Sequence, residues 1–238
     1  FGVIFSRLGT EVTVLEMMPT VLPGMDRQMA MRLERLLKKQ GLNILTGMRL
    51  EAGAVEGGAV RLRGTNQKTQ APFELAAEKV LLATGRKPNS ESLRADAPDF
   101  RDPAGFVRVS SRLETAVPGV YAIGDLIGGK LLAHKAEHEG LLAAENAAGG
   151  SLEMEHDSLP MSVFTEPEYA AVGLSDEEAK DRGIAVRTGI YLLQANGRAI
   201  GLDSVEGMIK IIAGPGGRIV GAHILAPFAS EMIAEVAL

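Results

Sequence analysis

The sequence predicts an α/β protein: a doubly wound unit entered after its first strand, followed by a mixed α+β region. Three observations carry that reading. Helical and strand-type segments alternate through the first third of the chain in the order helix, strand, helix, strand, hairpin, strand. Lys79-Val-Leu-Leu-Ala-Thr84 is a continuous apolar run of the kind found in parallel sheets covered on both faces. From about Leu159 onward, short strands surround a helix and end in a hairpin, a pattern of α+β type.

Each element has a local cause. Phe1, Phe5 and Leu8 recur at helical spacing, and Gly9 stops the pattern. Glu11 to Glu16 is a β-branched run of strand type ending in an acid. Asp26 opens a helix whose apolar face is Met29, Leu33, Leu36 and Leu37, closed by Gly41; Leu42 to Leu45 is a further strand. The Gly-rich stretch from Gly53 to Gly64 suits a small hairpin, and the polar, proline-containing stretch from Gly85 to Pro103 reads as a crossover. Val120 to Ile123 is expected to be a second buried strand, and Ala133 to Ala147 an amphipathic helix. In the last region, strands are expected over Met161 to Phe164, Ala170 to Gly173 and Ala185 to Leu193. Ser175-Asp-Glu-Glu178 is a capping box, with Gly183 ending the helix it starts. Met208 to Ala213 and Arg218 to Leu225 flank Gly214-Pro-Gly-Gly217 as a hairpin, and Ser230 to Leu238 reads as a helix.

Composition narrows the function classes. The chain has 238 residues, 46% hydrophobic and 23% charged, as expected of an ordered globular protein of about two domains. A net charge of -5 without a clustered basic face argues against a nucleic-acid partner. No apolar run approaches the ~20 residues of a membrane helix, and no charged-then-apolar leader is visible. The absence of cysteine removes disulfides and thiol nucleophiles, and a cytoplasmic setting is expected. Phe1 sits inside a helical pattern and the final helix has no terminator, so the sequence reads as an internal fragment.

Several residues could carry chemistry. Glu16, at the C-terminal end of its strand, could accept hydrogen bonds from ribose hydroxyls; on its own, without a Gly-rich loop before it, it reads first as a solvated acid at a strand end. Gly85 could bring backbone close to a ligand at a strand end, or could be a turn glycine. Gly124 and Asp125 follow an apolar run into a loop where a carboxylate could bind a polyol hydroxyl; a turn aspartate is the alternative. The helix that starts a few residues later would offer free amides to an electron-rich ring. His134 and His138 share a helix face but lack a third protein ligand, so no metal site is expected. His156 and His223 have no partner in sequence and read as surface or interface residues.

Tyr121 to Gly140, with Leu132-Ala-His-Lys135 inside it, resembles the flavin-binding segment of the dihydrolipoyl dehydrogenases, a branch of the pyridine nucleotide-disulfide oxidoreductases. The resemblance extends to Arg7 through Glu16, to Phe164 through Leu174 and to Ala195 through Ala199, in the family's order. It implies a partial Rossmann-like NAD-binding domain over 1–87, a returning FAD-binding segment over 88–158 and a partial dimerisation domain over 159–238. Carried over residue by residue, it implies that Asp125, next to Gly124, binds the FAD ribityl chain. Leu132, Ala133 and His134 would lie against the flavin. Glu16 would bind the NAD ribose, and Leu50 and Gly85 would line the dinucleotide path.

The reaction the resemblance implies moves electrons from dihydrolipoamide through a redox disulfide and FAD to NAD+. The Cys-x4-Cys motif, the glycine loops and the acid/base histidine of that family are not among these residues, so no catalytic residue is assigned and the chain alone is expected to be inactive. The resemblance further implies a homodimer working with 2-oxoacid dehydrogenase or glycine cleavage complexes. Another flavin disulfide reductase, a transhydrogenase of the same fold and an assembly module without cofactor chemistry are the competing readings.

Overall fold

The computed structural model describes residues 1–93 and 100–238. The chain divides into two compact units, one built from 1–81 together with 160–238, the other from 82–159. The crossover expected over 85–103 therefore lies in the second unit, and its residues 94–99 fall outside the described part.

The first stretch of the larger unit begins with helix α1 (Gly2–Arg7), followed by strand β1 (Thr13–Glu16), helix α2 (Arg27–Lys39) and strand β2 (Asn43–Thr46). Strands β1 and β2 pair in parallel, with Glu16 opposite Thr46. This is the expected strand–helix–strand unit. Asp26 caps α2 by accepting the Met29 amide at 3.0 Å, which satisfies one of the donors a helix start leaves open. The Gly-rich excursion is larger than a single hairpin. Strands β3 (Met48–Glu56), β4 (Ala59–Asn66) and β5 (Pro72–Ala77) form an antiparallel three-stranded meander.

The strand expected over 79–84 does not form. An extended apolar run becomes a strand only where neighbours take its backbone hydrogen bonds. The parallel sheet of the described residues consists of β1 and β2 alone. Leu81 and Leu82 are accordingly 62% and 74% exposed.

The second unit is organised around helix α3 (Ala133–Ala147), with the predicted bounds. Leu142 and Ala143 pack with Leu113, Met154 and Leu159. Asn146 ties the end of the helix to its surroundings, donating to the carbonyls of Arg112 and Leu152 and accepting the Leu152 amide. The buried strand expected over 120–123 is replaced by one isolated bridge, Glu114 to Tyr121. Only Ala122 of that run is buried, because the apolar run meets no continuous strand neighbour. The chain then enters a short 3-10 turn at Gly124–Ile127.

The rest of the larger unit contains β6 (Met161–Val163), β7 (Glu168–Gly173), α4 (Asp176–Asp181), β8 (Arg187–Leu192), α5 (Gly197–Gly201), β9 (Met208–Ala213), β10 (Ile219–Ala226) and α6 (Ala229–Ala237). The five strands form one antiparallel sheet in the order β6-β7-β10-β9-β8. The capping box is present: Ser175 Oγ accepts the Glu178 amide and Glu178 accepts the Ser175 amide. Alternation along β7 sends Tyr169 and Ala171 toward the apolar face of α2, and Ala170 and Val172 toward α6. A sheet covered on both faces explains why β7 is apolar almost throughout.

Candidate functional site

The expected site residues fall in both units. In the larger one, Glu16 closes β1 half-buried, and its Oε1 accepts the backbone amide of Met18 at 2.7 Å. The loop behind it is held by the Gly47 amide on Met18 O and by Gln67 Nε2 on Met17 O. The Glu16 carboxylate is thereby oriented at the end of β1. Leu50 lies on β3 at the shift in register with β4, and is 40% exposed.

The remaining expected residues lie in the smaller unit. Gly85 has φ +109, a conformation L side chains rarely adopt, and open space where a Cβ would stand. Next to it, Arg86 Nε lies 3.2 Å from Asp125 Oδ2; both side chains are largely in solvent, so the pair contributes little to stability. Asp125 thus presents its carboxylate to solvent from the 3-10 turn.

Helix α3 begins beside that turn. Its N-cap is Leu132, which has no side-chain acceptor for the first-turn amides, and Ala133 and His134 are exposed. An apolar N-cap adds no side-chain acceptor at the positive end of the helix dipole. An exposed carboxylate and a helix start whose N-cap supplies no side-chain acceptor thus lie in one compact unit.

The residues that hold this arrangement were not legible as site residues. Lys135 and Glu139, 1% and 0% exposed, form an ion pair one helical turn apart. Glu139 Oε2 accepts the Gly124 amide at 2.8 Å, and Lys135 Nζ donates to the Gly124 carbonyl at 3.1 Å. His156 brings Nε2 to 3.1 Å from Glu139 Oε1, so it is a partner of a buried acid and not an unengaged surface histidine. The i,i+4 spacing of Lys135 and Glu139 was the available signal, but nothing local named Gly124 as their target.

A second buried network lies in the larger unit. Lys210 Nζ is 2.6 Å from Asp26 Oδ2 and 2.8 Å from Asp176 Oδ2. His223, expected at a surface or interface, is buried: Tyr169 Oη lies 2.9 Å from its Nδ1, and its Nε2 is 3.1 Å from Leu174 O. A carbonyl can only accept, so Nε2 carries the proton and Nδ1 accepts from the tyrosine. Burial pushes His223 below its ordinary pKa, outweighing the Leu174 carbonyl, and pushes the Tyr169 phenol up. Among the described residues, no group of three or more His, Cys, Asp or Glu side chains is gathered as for a metal ion. No helix among them is long and apolar enough to cross a membrane.

A family model described as pyridine nucleotide-disulphide oxidoreductase matches residues 1–140, and the dimerisation domain of the same family matches 159–238. The chain is 41% identical over 239 residues to a dihydrolipoyl dehydrogenase of Thermus scotoductus, covering 100% of this chain and 52% of that protein. It is 37% identical to the dihydrolipoyl dehydrogenase of Geobacillus stearothermophilus, again along its whole length and across 50% of the relative. The chain thus spans about half the length of the curated relatives it matches. Among solved structures, LpdA from Mycobacterium tuberculosis superposes with a TM-score of 0.89 at 28% identity, covering 100% of this chain and 51% of the other.

Proposed function

The chain belongs to the pyridine nucleotide-disulphide oxidoreductase family, and from that premise we propose that the protein acts in a flavin-dependent dihydrolipoyl dehydrogenase, oxidising dihydrolipoamide and reducing NAD+. The observation that carries the reading is that the exposed Asp125 carboxylate stands on a turn tied through Gly124 to α3, a helix whose N-cap supplies no side-chain acceptor. The identity to relatives named dihydrolipoyl dehydrogenase supports the choice of substrate.

The residues fit the cofactor by the chemistry of their donors and acceptors. Asp125 accepts from a ribityl hydroxyl. The backbone at Leu132, Ala133 and His134 offers the positive helix end to a pyrimidine edge, an arrangement that favours negative charge there. When bound, FAD supplies a two-electron carrier between a dithiol and a pyridine nucleotide. Glu16 accepts from the ribose hydroxyls of NAD and repels a 2′-phosphate, with Leu50 a neighbouring contact in the same unit. Gly85 is assigned separately, as backbone open to the dinucleotide. The sequence holds no cysteine, so the 238 residues by themselves supply no thiolate, and their activity in isolation is proposed to be nil. The segment matched by the dimerisation domain supports a homodimer. A 2-oxoacid dehydrogenase or glycine cleavage complex is the proposed partner, in the cytoplasm.

The test is an FAD titration of the protein expressed from its full reading frame, followed by flavin fluorescence, with Asp125→Asn alongside. Stoichiometric binding in the wild type and an affinity at least tenfold lower in the variant are expected. Failure of the wild type to bind, or equal affinity in both proteins, overturns the reading. The 238-residue chain alone is expected to retain FAD weakly or not at all.

A further inference from the structure

We propose that Lys135 and Glu139 are positioning residues of the cofactor site, which hold the peptide groups on either side of the Gly124 Cα and thereby set where Asp125 stands relative to the start of α3. This rests on the reading of Asp125 as a flavin-side acid. The geometry is specific. Glu139 takes the Gly124 amide, Lys135 takes the Gly124 carbonyl, and the two side chains pair with each other at 3.0 Å. The two peptide groups that flank the Gly124 Cα are therefore held, one through its donor and the next through its acceptor, by adjacent turns of one helix. Gly124 has φ +70, and a Cβ there would stand 3.2 Å from Ala136 Cβ. The turn is thus drawn against the helix more closely than a side chain would comfortably allow. Asp125 is the next residue, and its own carboxylate contacts only the solvent-exposed Arg86 among the bonds above. Its position is consequently inherited from Gly124.

The pair also explains a cost that packing alone does not require. Burying a charge pair stabilises a fold poorly compared with apolar side chains of the same volume. What two such groups add is direction: a donor and an acceptor at fixed places. His156 completes the set by approaching the second carboxylate oxygen of Glu139, which leaves that acid bonded on both oxygens.

The experiment is a double-mutant cycle in the full reading frame between the clamp and Asp125. The clamp is replaced as a whole by Lys135→Met with Glu139→Leu, which removes both charges at similar volume. FAD affinity, the visible circular dichroism of bound flavin and the melting temperature of the apoprotein are measured. The expected result is a cooperative melting transition lowered by no more than the two lost Gly124 bonds account for, FAD affinity at least tenfold weaker and a changed visible spectrum. The factor lost on Asp125→Asn should shrink several-fold in the clamp variant, because a misplaced acid has less to lose. Equal FAD affinity with and without the clamp overturns the inference while leaving the functional reading intact. An undiminished Asp125→Asn factor does the same. A wild type that takes up no FAD removes both. Should the charge-free variant fail to fold, Glu139→Gln, which keeps an oxygen for the Gly124 amide, enters the same cycle; a smaller coupling is then expected, and none overturns the inference.

Discussion

Replacing Lys210 by methionine should destabilise the larger unit by about 3–5 kcal/mol, the usual cost of removing one partner from a buried ion pair. Lys210 serves two carboxylates, and they differ in what they lose. Asp176 has a side chain 36% exposed and also accepts from Thr188, so water and that hydroxyl can replace the ammonium. Asp26 is fully buried; without Lys210 its Oδ1 keeps the Met29 amide while Oδ2 is left charged and unpaired. Most of the cost is therefore that of one stranded carboxylate. Asp26→Asn is the control. Asparagine caps a helix as well as aspartate, and Lys210 keeps Asp176, so this variant should cost only about 1–2 kcal/mol. Combining both changes should cost less than their sum, with a coupling of about 1–3 kcal/mol. The assay is urea unfolding read by hydrogen exchange of peptides covering 27–39 and 208–213, which excludes the 82–159 unit from the signal. With a urea slope of about 1–3 kcal/mol per molar, the Lys210→Met midpoint should fall by at least about 1 M. A fall under about 0.3 M, or full additivity with Asp26→Asn, would refute the claim that Lys210 neutralises Asp26.

Two further outcomes follow from the same geometry. His223 is held neutral in the fold, with its pKa depressed below 6.5 by burial; an unfolded chain binds a proton there first as pH falls. Stability should therefore be complete above about pH 6.5 and decline below it, by at most about 1.4 kcal/mol per pH unit, until the folded-state pKa is reached. His223→Gln should flatten that limb in urea midpoints taken from pH 7.5 to 5.5, and an unchanged slope would count against it. Gly124→Ala places a side chain at φ +70 and 3.2 Å from Ala136 Cβ, so a loss of about 1–2 kcal/mol is expected in thermal unfolding of the smaller unit; an unaltered melting temperature would show that the turn is not held where the structure puts it.

Elements whose signals are local were legible in the sequence. The Asp26 cap and the Met29, Leu33, Leu36, Leu37 face define α2 within a dozen residues, and the Ser175–Glu178 box defines the start of α4. Strands such as β7 and β10 were legible too, but whether a given apolar run finds a strand partner was not. Residues 79–84 and 120–123 have the composition of buried strands, yet strand formation is decided by hydrogen-bonding neighbours that composition does not contain. The same limit applies to the site. Asp125 and the start of α3 stand within one short stretch of chain, so their association was readable. The engagement of Gly124 by Lys135 and Glu139 depends on how a turn folds back on a helix. The bond from Lys210 to Asp26 joins residues 184 apart. His223 was misread for that reason: its partner Tyr169 lies 54 residues away, and only the pairing of β7 with β10 brings them together.

Both buried networks place charge inside the fold, and the two share a physical logic. A hydrophobic contact is non-directional and leaves a turn or helix start free to shift by fractions of an ångström. A buried acceptor with a single satisfied geometry does not, because leaving it unpaired is expensive. Asp26 uses one oxygen to start α2 and the other to reach β9, so the helix start is fixed to the sheet it covers. Glu139 uses one oxygen for the Gly124 amide and the other for His156, fixing the turn to α3. It follows that stability and position should separate experimentally. Removing one member of either set strands a charge and weakens the fold most, whereas replacing the Lys135–Glu139 pair as a whole should cost only the two bonds to Gly124 and lose the placement of Asp125. A protein in which both operations gave the same proportion of lost stability and lost flavin affinity would be one whose buried charges serve packing alone.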